Sequence, residues 1–169
     1  MKKLTVFLAL IVGLAGKDVF AQNKPRPSPP AKVSETIKTG ATVTIDYSRP
    51  SVKGRTIGQE IAPFGEVWRT GANEATVFEI NRDVTVEGQK LPAGKYSLYT
   101  IPGETEWTII FNKAWKQWGT TYNEGEDALR VKVKPGKSAA FTEKLTFGIA
   151  DNGTVSMTWG DTKVDFRVK

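Results

Sequence analysis

The chain has 169 residues, 24 of them basic and 18 acidic, with no cysteine and no histidine. That excludes disulfide staples, Cys-His and Ser-His-Asp nucleophile systems, the common zinc sites and the usual neutral-pH proton shuttle. The net charge of +6 sits mostly at the start: six basic residues and one acidic residue precede Val33, leaving 18 and 17 beyond it, so no clustered basic footprint points to nucleic acid.

Residues 1–21 carry Lys2 and Lys3, a 12-residue apolar run over 4–15, and a small-residue exit at Val19-Phe20-Ala21. This is the anatomy of a secretory signal peptide, and the run is short of the roughly 18 to 20 residues a membrane-spanning helix needs. Removal after Ala21 predicts a periplasmic or secreted protein with no integral membrane segment. No cysteine follows to take a lipid anchor. Residues 22–32 hold four prolines and read as a semi-stiff, polyproline-like linker, leaving residues 33–169 as one domain. A chain of this length buries enough surface to fold without covalent staples.

From there the dominant period is two. Ala41, Val43, Ile45 and Tyr47 alternate with Thr42, Thr44, Asp46 and Ser48. The run ends in "DYSRPSVKGR", where Arg49, Lys53 and Arg55 arrive together; Pro50 holds Arg49 extended, so its guanidinium could meet an anion or tie the turn to carbonyls. Residues 48–74 then lack periodicity and contain Pro50, Gly54, Gly58, Pro63, Gly65 and Gly71. Long irregular connections that stay ordered are usually functional, and Ile57, Ile61, Phe64, Val67 and Trp68 would anchor this one.

The connection closes with "EVWRTGANEA". Gly71 permits a turn, Asn73 suits a position bonding nearby backbone, and Arg69 and Glu74 flank the bend. Either the group forms a buried Arg-Glu staple with Asn73 as its cap, or it contacts a ligand.

Alternation resumes at Trp107, Ile109 and Phe111 against Thr108, Ile110 and Asn112, and at Leu129, Val131 and Val133 against Arg130, Lys132 and Lys134. Between them, residues 113–118 fit one helical turn ended by Gly119, with Trp115 and Trp118 on a shared face. One Trp is expected in the core; an exposed pair would suit sugar stacking. Tyr96, Tyr99 and Tyr122 complete this aromatic group. Near the end Phe141, Leu145, Phe147 and Ile149 share a parity, as do Val155, Met157 and Trp159, then Val164, Phe166 and Val168.

Turn signals separate these runs at Thr39-Gly40, Glu87-Gly88, Pro102-Gly103, Pro135-Gly136, Asp151-Asn152-Gly153 and Gly160-Asp161. About nine or ten short antiparallel strands follow, each with one apolar and one wet face. The all-β fold that satisfies them is a β-sandwich with one long ordered loop and a short helical turn; the alternative is a closed β-barrel.

No phosphate loop, dinucleotide fingerprint or calcium loop occurs, and no cofactor or metal is expected. Carboxylates are too numerous, at Glu66, Glu74, Glu124, Glu126 and Asp127, for spacing to pick a hydrolytic pair.

The runs "DYSRPSVKGR", "VWRTGANEA", "LPAGKYSLYTIPG", "WTIIFN" and "DALRVKVKP" resemble, in this order, the bacterial secreted family grouped as domain of unknown function 2911. The resemblance covers nearly all of residues 34–169 and implies an exported all-β protein. It carries over no reaction or catalytic residue.

The leading functional expectation is a non-catalytic exported domain binding a small polar, anionic or glycan ligand at the sandwich end formed by residues 48–74. Arg49, Arg55 and Arg69 would contact anionic or hydroxyl groups, Asn73 and Glu74 would orient them, and Trp118 would supply a wall. The rivals are a carboxylate-dependent hydrolase of envelope or dietary glycans or esters, with Glu74 in a desolvated cleft, and a structural envelope protein meeting a partner through a sheet edge or Trp patch.

Overall fold

A computed structural model of the chain describes residues 25–169. The expected signal peptide and the first linker residues lie outside the described residues. Ten strands form: β1 (Pro30–Thr36), β2 (Thr42–Ser48), β3 (Val77–Ile80), β4 (Val84–Val86), β5 (Gln89–Leu91), β6 (Gly94–Ile101), β7 (Trp107–Asn112), β8 (Asp127–Val133), β9 (Pro135–Ile149) and β10 (Thr154–Arg167). Among the described residues no helix is long and apolar enough to cross a membrane.

One antiparallel sheet runs β1-β2-β3-β6-β7-β8. Facing it, the long β9-β10 hairpin is extended on one side by the β4-β5 hairpin, because Thr85 and Lys169 exchange backbone hydrogen bonds of 2.7 and 2.9 Å. On the other side residues 50–52 dock on β9 through Leu145 N–H to Pro50 O and Val52 N–H to Glu143 O. The result is sandwich-like and not a closed barrel. Its core interleaves both layers: Phe78 of β3, Phe111 of β7 and Phe166 of β10 meet with centroids 5.0 to 6.1 Å apart. Tyr47 sets its ring edge-on to Phe147 and accepts that residue's backbone N–H. Aromatic pairs in such edge-to-face geometry add to simple area burial.

Four expectations need correction. The linker ends earlier than Lys32, since residues 30–32 pair in register with Asp46, Tyr47 and Ser48 and Ala31 packs on the core. Gly160-Asp161 is no turn: β10 runs through it with register shifts on both sides of Gly160, a bulge in place of a break. Phe141 is exposed, although it shares the parity of buried Leu145. Residues 113–118 do not make the helical turn, which falls instead at Glu124–Glu126. The Asn112 side chain accepts from Ala114 N–H, while Gln117 O and Gly119 N–H are engaged with Ala75 and Asn73, so the backbone is drawn out of helical geometry.

That last displacement has a structural consequence. The segment 113–123 folds over the outer face of the large sheet and roofs Ser97 and Tyr99 of β6 and Ile110 and Asn112 of β7, all buried despite their outward parity. Hydrogen bonds from Ser97 Oγ to Ala114 O and from Asn112 Nδ2 to Asn123 O hold the roof down. Ile110→Ala is therefore expected to cost about 2–5 kcal/mol in urea denaturation, whereas Thr108→Ala, on the same face but outside the roof, should stay within about 0.5 kcal/mol.

Candidate functional site

The second half of the irregular connection is a sheet element in disguise. Trp68 and Thr100 exchange backbone hydrogen bonds of 2.7 and 2.9 Å, so residue 68 continues the sheet beside β6. Its indole turns into the core and stacks on Trp159 at 5.1 Å with an interplanar angle of 5°. Alternation then forces Val67 and Arg69 to the outer face, with Val67 exposed and the Arg69 stem against Gly119 of the roof.

The bend that follows is tightly specified. Thr70 is buried at φ 50°, an unusual conformation for a β-branched residue, with its hydroxyl 3.1 Å from that of Thr100 and its carbonyl accepting from Thr76 Oγ1 at 2.9 Å. A Cβ on Gly71 would lie 2.6 Å from Thr76 Oγ1, so only glycine fits. Asn73, at φ 62°, gives its carbonyl to Gly119 N–H and its amide to Ser28 O and Ser48 Oγ at 3.3 and 3.4 Å.

The six singled-out side chains do not converge. Arg49 crosses to the second layer, donating from Nε to Leu145 O (2.9 Å) and from Nη2 to Thr146 Oγ1 (2.7 Å). Arg55 folds back on its own turn, to Val52 O and Ser51 O. Both tie backbone, as the structural alternative for that cluster required. Glu74 does not face Arg69; it is exposed and accepts twice from Arg26 Nη1, at 3.0 and 3.1 Å. Its own backbone N–H, and then Arg26, hold this carboxyl below the ordinary range. Trp118 bridges to Glu74 through the backbone but is 52% exposed, and Trp115 is also outside the core with the Lys95 ammonium 5.0 Å from its ring centroid. Neither Trp is the core residue expected.

Arg69 stands apart. Among the described residues its guanidinium has no hydrogen bond or ion pair, and its stem lies on Gly119, where a Cβ would come within 2.7 Å of Cδ. It lines a cleft of about 330 Å³ with Val67, Trp68, Tyr99, Gly119, Thr120 and Tyr122. The two tyrosine rings meet at 4.8 Å. Tyr99 Oη donates to Thr121 O and accepts from Gln117 Nε2. Tyr122 Oη donates to Asp127 Oδ2 at 2.7 Å and accepts from Arg130 Nη2 at 2.8 Å. Asp127 also accepts from Arg130 Nε and Asn112 Nδ2, so this wall is a bonded network rather than a flexible ring.

Sequence reasoning named Arg69, Tyr99 and Tyr122 but in separate groups, and took Gly119 for a helix stop. What joins them is the roof, for which local pattern offered only the absence of a strand between β7 and β8. Asp127 and Arg130 were not seen as a brace for Tyr122; their i, i+3 spacing at a strand start is the one available hint.

Burial, and next the bond to Asp127, push the Tyr122 phenol up to about 12. The unfolded chain releases this proton near 10, so between there and about 12 the folded state holds more protons and stability must fall as pH rises. Urea midpoints followed through this window should decline more steeply in the native protein than in Tyr122→Phe.

A family model described as Protein of unknown function (DUF2911) matches residues 28–168, and the chain belongs to that family. No match was found among curated proteins or among solved structures.

Proposed function

We propose that this DUF2911 protein is exported and binds a small carboxylate-bearing molecule, such as a sugar acid, in the outer-face cleft, with Arg69 as the anion contact. The observation that carries the reading is the unpaired guanidinium of Arg69, seated in a walled cleft while Arg49 and Arg55 are consumed by backbone carbonyls. An arginine fork matches a carboxylate with two parallel donors. Tyr122, backed by the buried Tyr99 ring, supplies a flat wall, and the Thr120 hydroxyl, which has no partner among the described residues, is available to a hydroxyl of the ligand.

The lining of the cleft favours binding over bond cleavage. No carboxylate lines the cleft, and both tyrosines are shifted upward, away from neutral-pH proton transfer. The hydrolase reading asked for Glu74 in a desolvated cleft. Its exposure, its Arg26 partner and its lowered proton affinity are the reverse of a general acid.

Calorimetric titration with glucuronate, acetate, inorganic phosphate and neutral glucose tests the proposal. Glucuronate should bind, glucose should not, and Arg69→Ala should weaken glucuronate by about ten- to a hundredfold, the worth of a charged hydrogen-bonded contact, with little change in thermal midpoint. Arg49→Ala should behave oppositely, destabilising by about 1–3 kcal/mol while leaving affinity intact. Equal affinity in native protein and Arg69→Ala, or no binding by any of the three anions, overturns the assignment.

A further inference from the structure

A second cleft, of about 380 Å³, shares no lining residue with the first and involves none of the six side chains expected to bind a ligand. Its floor and walls come from four separate pieces of chain. The irregular connection supplies Ile57 and Phe64, the β6-β7 turn supplies Glu104, the start of β9 supplies Lys137, and the stretch of β10 at the register shift supplies Asp161 and Thr162.

Each piece is placed by a specific local feature. Gly58, at φ 88°, lies under the Phe64 ring so closely that any Cβ there would collide with it, and the ring is still 40% exposed where it borders the cleft. Gly65 N–H donates to Pro102 O at 2.9 Å, which fixes Phe64 next to the turn carrying Glu104. In β10 the residues Trp159 and Gly160 are buried in succession, a break in alternation that turns Asp161 outward. Gly160, at φ 57°, permits that local turn of β10 opposite the bulged β9 and leaves room for Ile57, whose Cδ1 would be 3.1 Å from a Cβ there. Lys137 sits opposite Thr162 in register, so ammonium and hydroxyl emerge side by side.

Among the described residues, the side chains of Glu104, Lys137, Asp161 and Thr162 make no hydrogen bond or ion pair, although several other surface charges are paired. The mixture of signs discriminates between ligand classes. An anion would be opposed by Glu104 and Asp161; a compact amine would leave Lys137 opposing it and the aromatic face unused. A neutral ring bearing many hydroxyls suits every group present, since hydroxyls donate to carboxylates and accept from an ammonium. The C–H face of such a ring lies flat on an aromatic side chain as other apolar surfaces do.

We propose that this cleft is a second binding site, for a neutral pyranose unit of a glycan, with Phe64 as the stacking platform and Glu104, Asp161, Lys137 and Thr162 as its hydroxyl partners. It stands independently of the Arg69 cleft.

Nuclear magnetic resonance titration of the isotopically labelled protein tests it with three neutral tetrasaccharides, β-linked glucose, α-linked glucose and β-linked N-acetylglucosamine, and with glucosamine and glucuronate as charged counterparts. At least one tetrasaccharide should shift the amides of Gly58, Phe64, Gly103, Lys137 and Asp161 with a Kd of about millimolar order, as expected for one sugar ring on an open surface. Phe64→Leu, which keeps apolar bulk over Gly58 but removes the ring, should weaken that response at least about threefold. Asp161→Asn, at an exposed position where folding is not at stake, should also weaken it, and Arg69→Ala should leave it unchanged. Silence at these amides with all three tetrasaccharides overturns the proposal. So does a response that survives both Phe64→Leu and Asp161→Asn, or one that is stronger with glucosamine or glucuronate.

Discussion

The stack of Trp68 on Trp159 is the contact on which the remaining geometry depends. One indole comes from an irregular stretch of 27 residues and the other from the central strand of the second layer, and they lie nearly parallel with centroids 5.1 Å apart. Because Trp68 also exchanges both backbone hydrogen bonds with Thr100, its position and its facing are fixed together. Once residue 68 points inward, residues 67 and 69 have no choice but to point outward. A single half-buried aromatic therefore decides that Arg69 reaches the roofed face and not the core, where an unpaired guanidinium would be prohibitively costly.

The rest of the connection obeys the rule that buried backbone must find partners. Arg49 and Arg55 supply donors to carbonyls that no strand satisfies, and the hydroxyls of Thr70, Thr76 and Thr100 close the bend on the other side. Asn73 bridges three pieces of chain, touching Ser28, Ser48 and Gly119. Most of the polar richness of the segment is thus explained by the needs of the loop itself. Among the charged side chains of this stretch that line a cleft, the head of Arg69 is the one left over after that subtraction.

How far the sequence foretold this differs by level. The alternation of Val43, Ile45 and Tyr47, or of Val164, Phe166 and Val168, was a sound guide because each strand meets the core on one face, so burial and period coincide. It failed at Ile110 and Tyr99, where a second layer of burial arises from a segment with no period of its own. It failed again at Phe141 of β9 and Gly160 of β10, because the register between the two strands shifts on both sides of the Gly160–Thr142 pair, with extra residues on β9. The site suffered most. Arg55 bonds its own turn, but whether Arg49 faces a carbonyl or open space depends on Leu145 and Thr146, 96 and 97 positions away. Local pattern holds no information about such distant pairings.

Backbone strain gives a further reason to treat the connection as more than a spacer. Among the described residues five non-glycine positions have positive φ, and Lys53, Ala62, Thr70 and Asn73 all belong to this stretch. Each departs from the preferred basin at a cost of order 1 kcal/mol. The same stretch uses Gly54, Gly58 and Gly65 at other positive-φ sites, so glycine is the easy solution here and is set aside at four positions. At Thr70 the reason is visible: glycine would relieve the strain but remove the hydroxyl that meets Thr100, loosening the strand-like segment immediately beside Arg69. Ala62 is buried in the core, where its methyl fills space glycine would leave empty. A stretch that accepts strain to keep particular side chains, and anchors itself with Trp68, is built to hold its two faces still: Phe64 and Ile57 against one cleft, Val67 and Arg69 against the other.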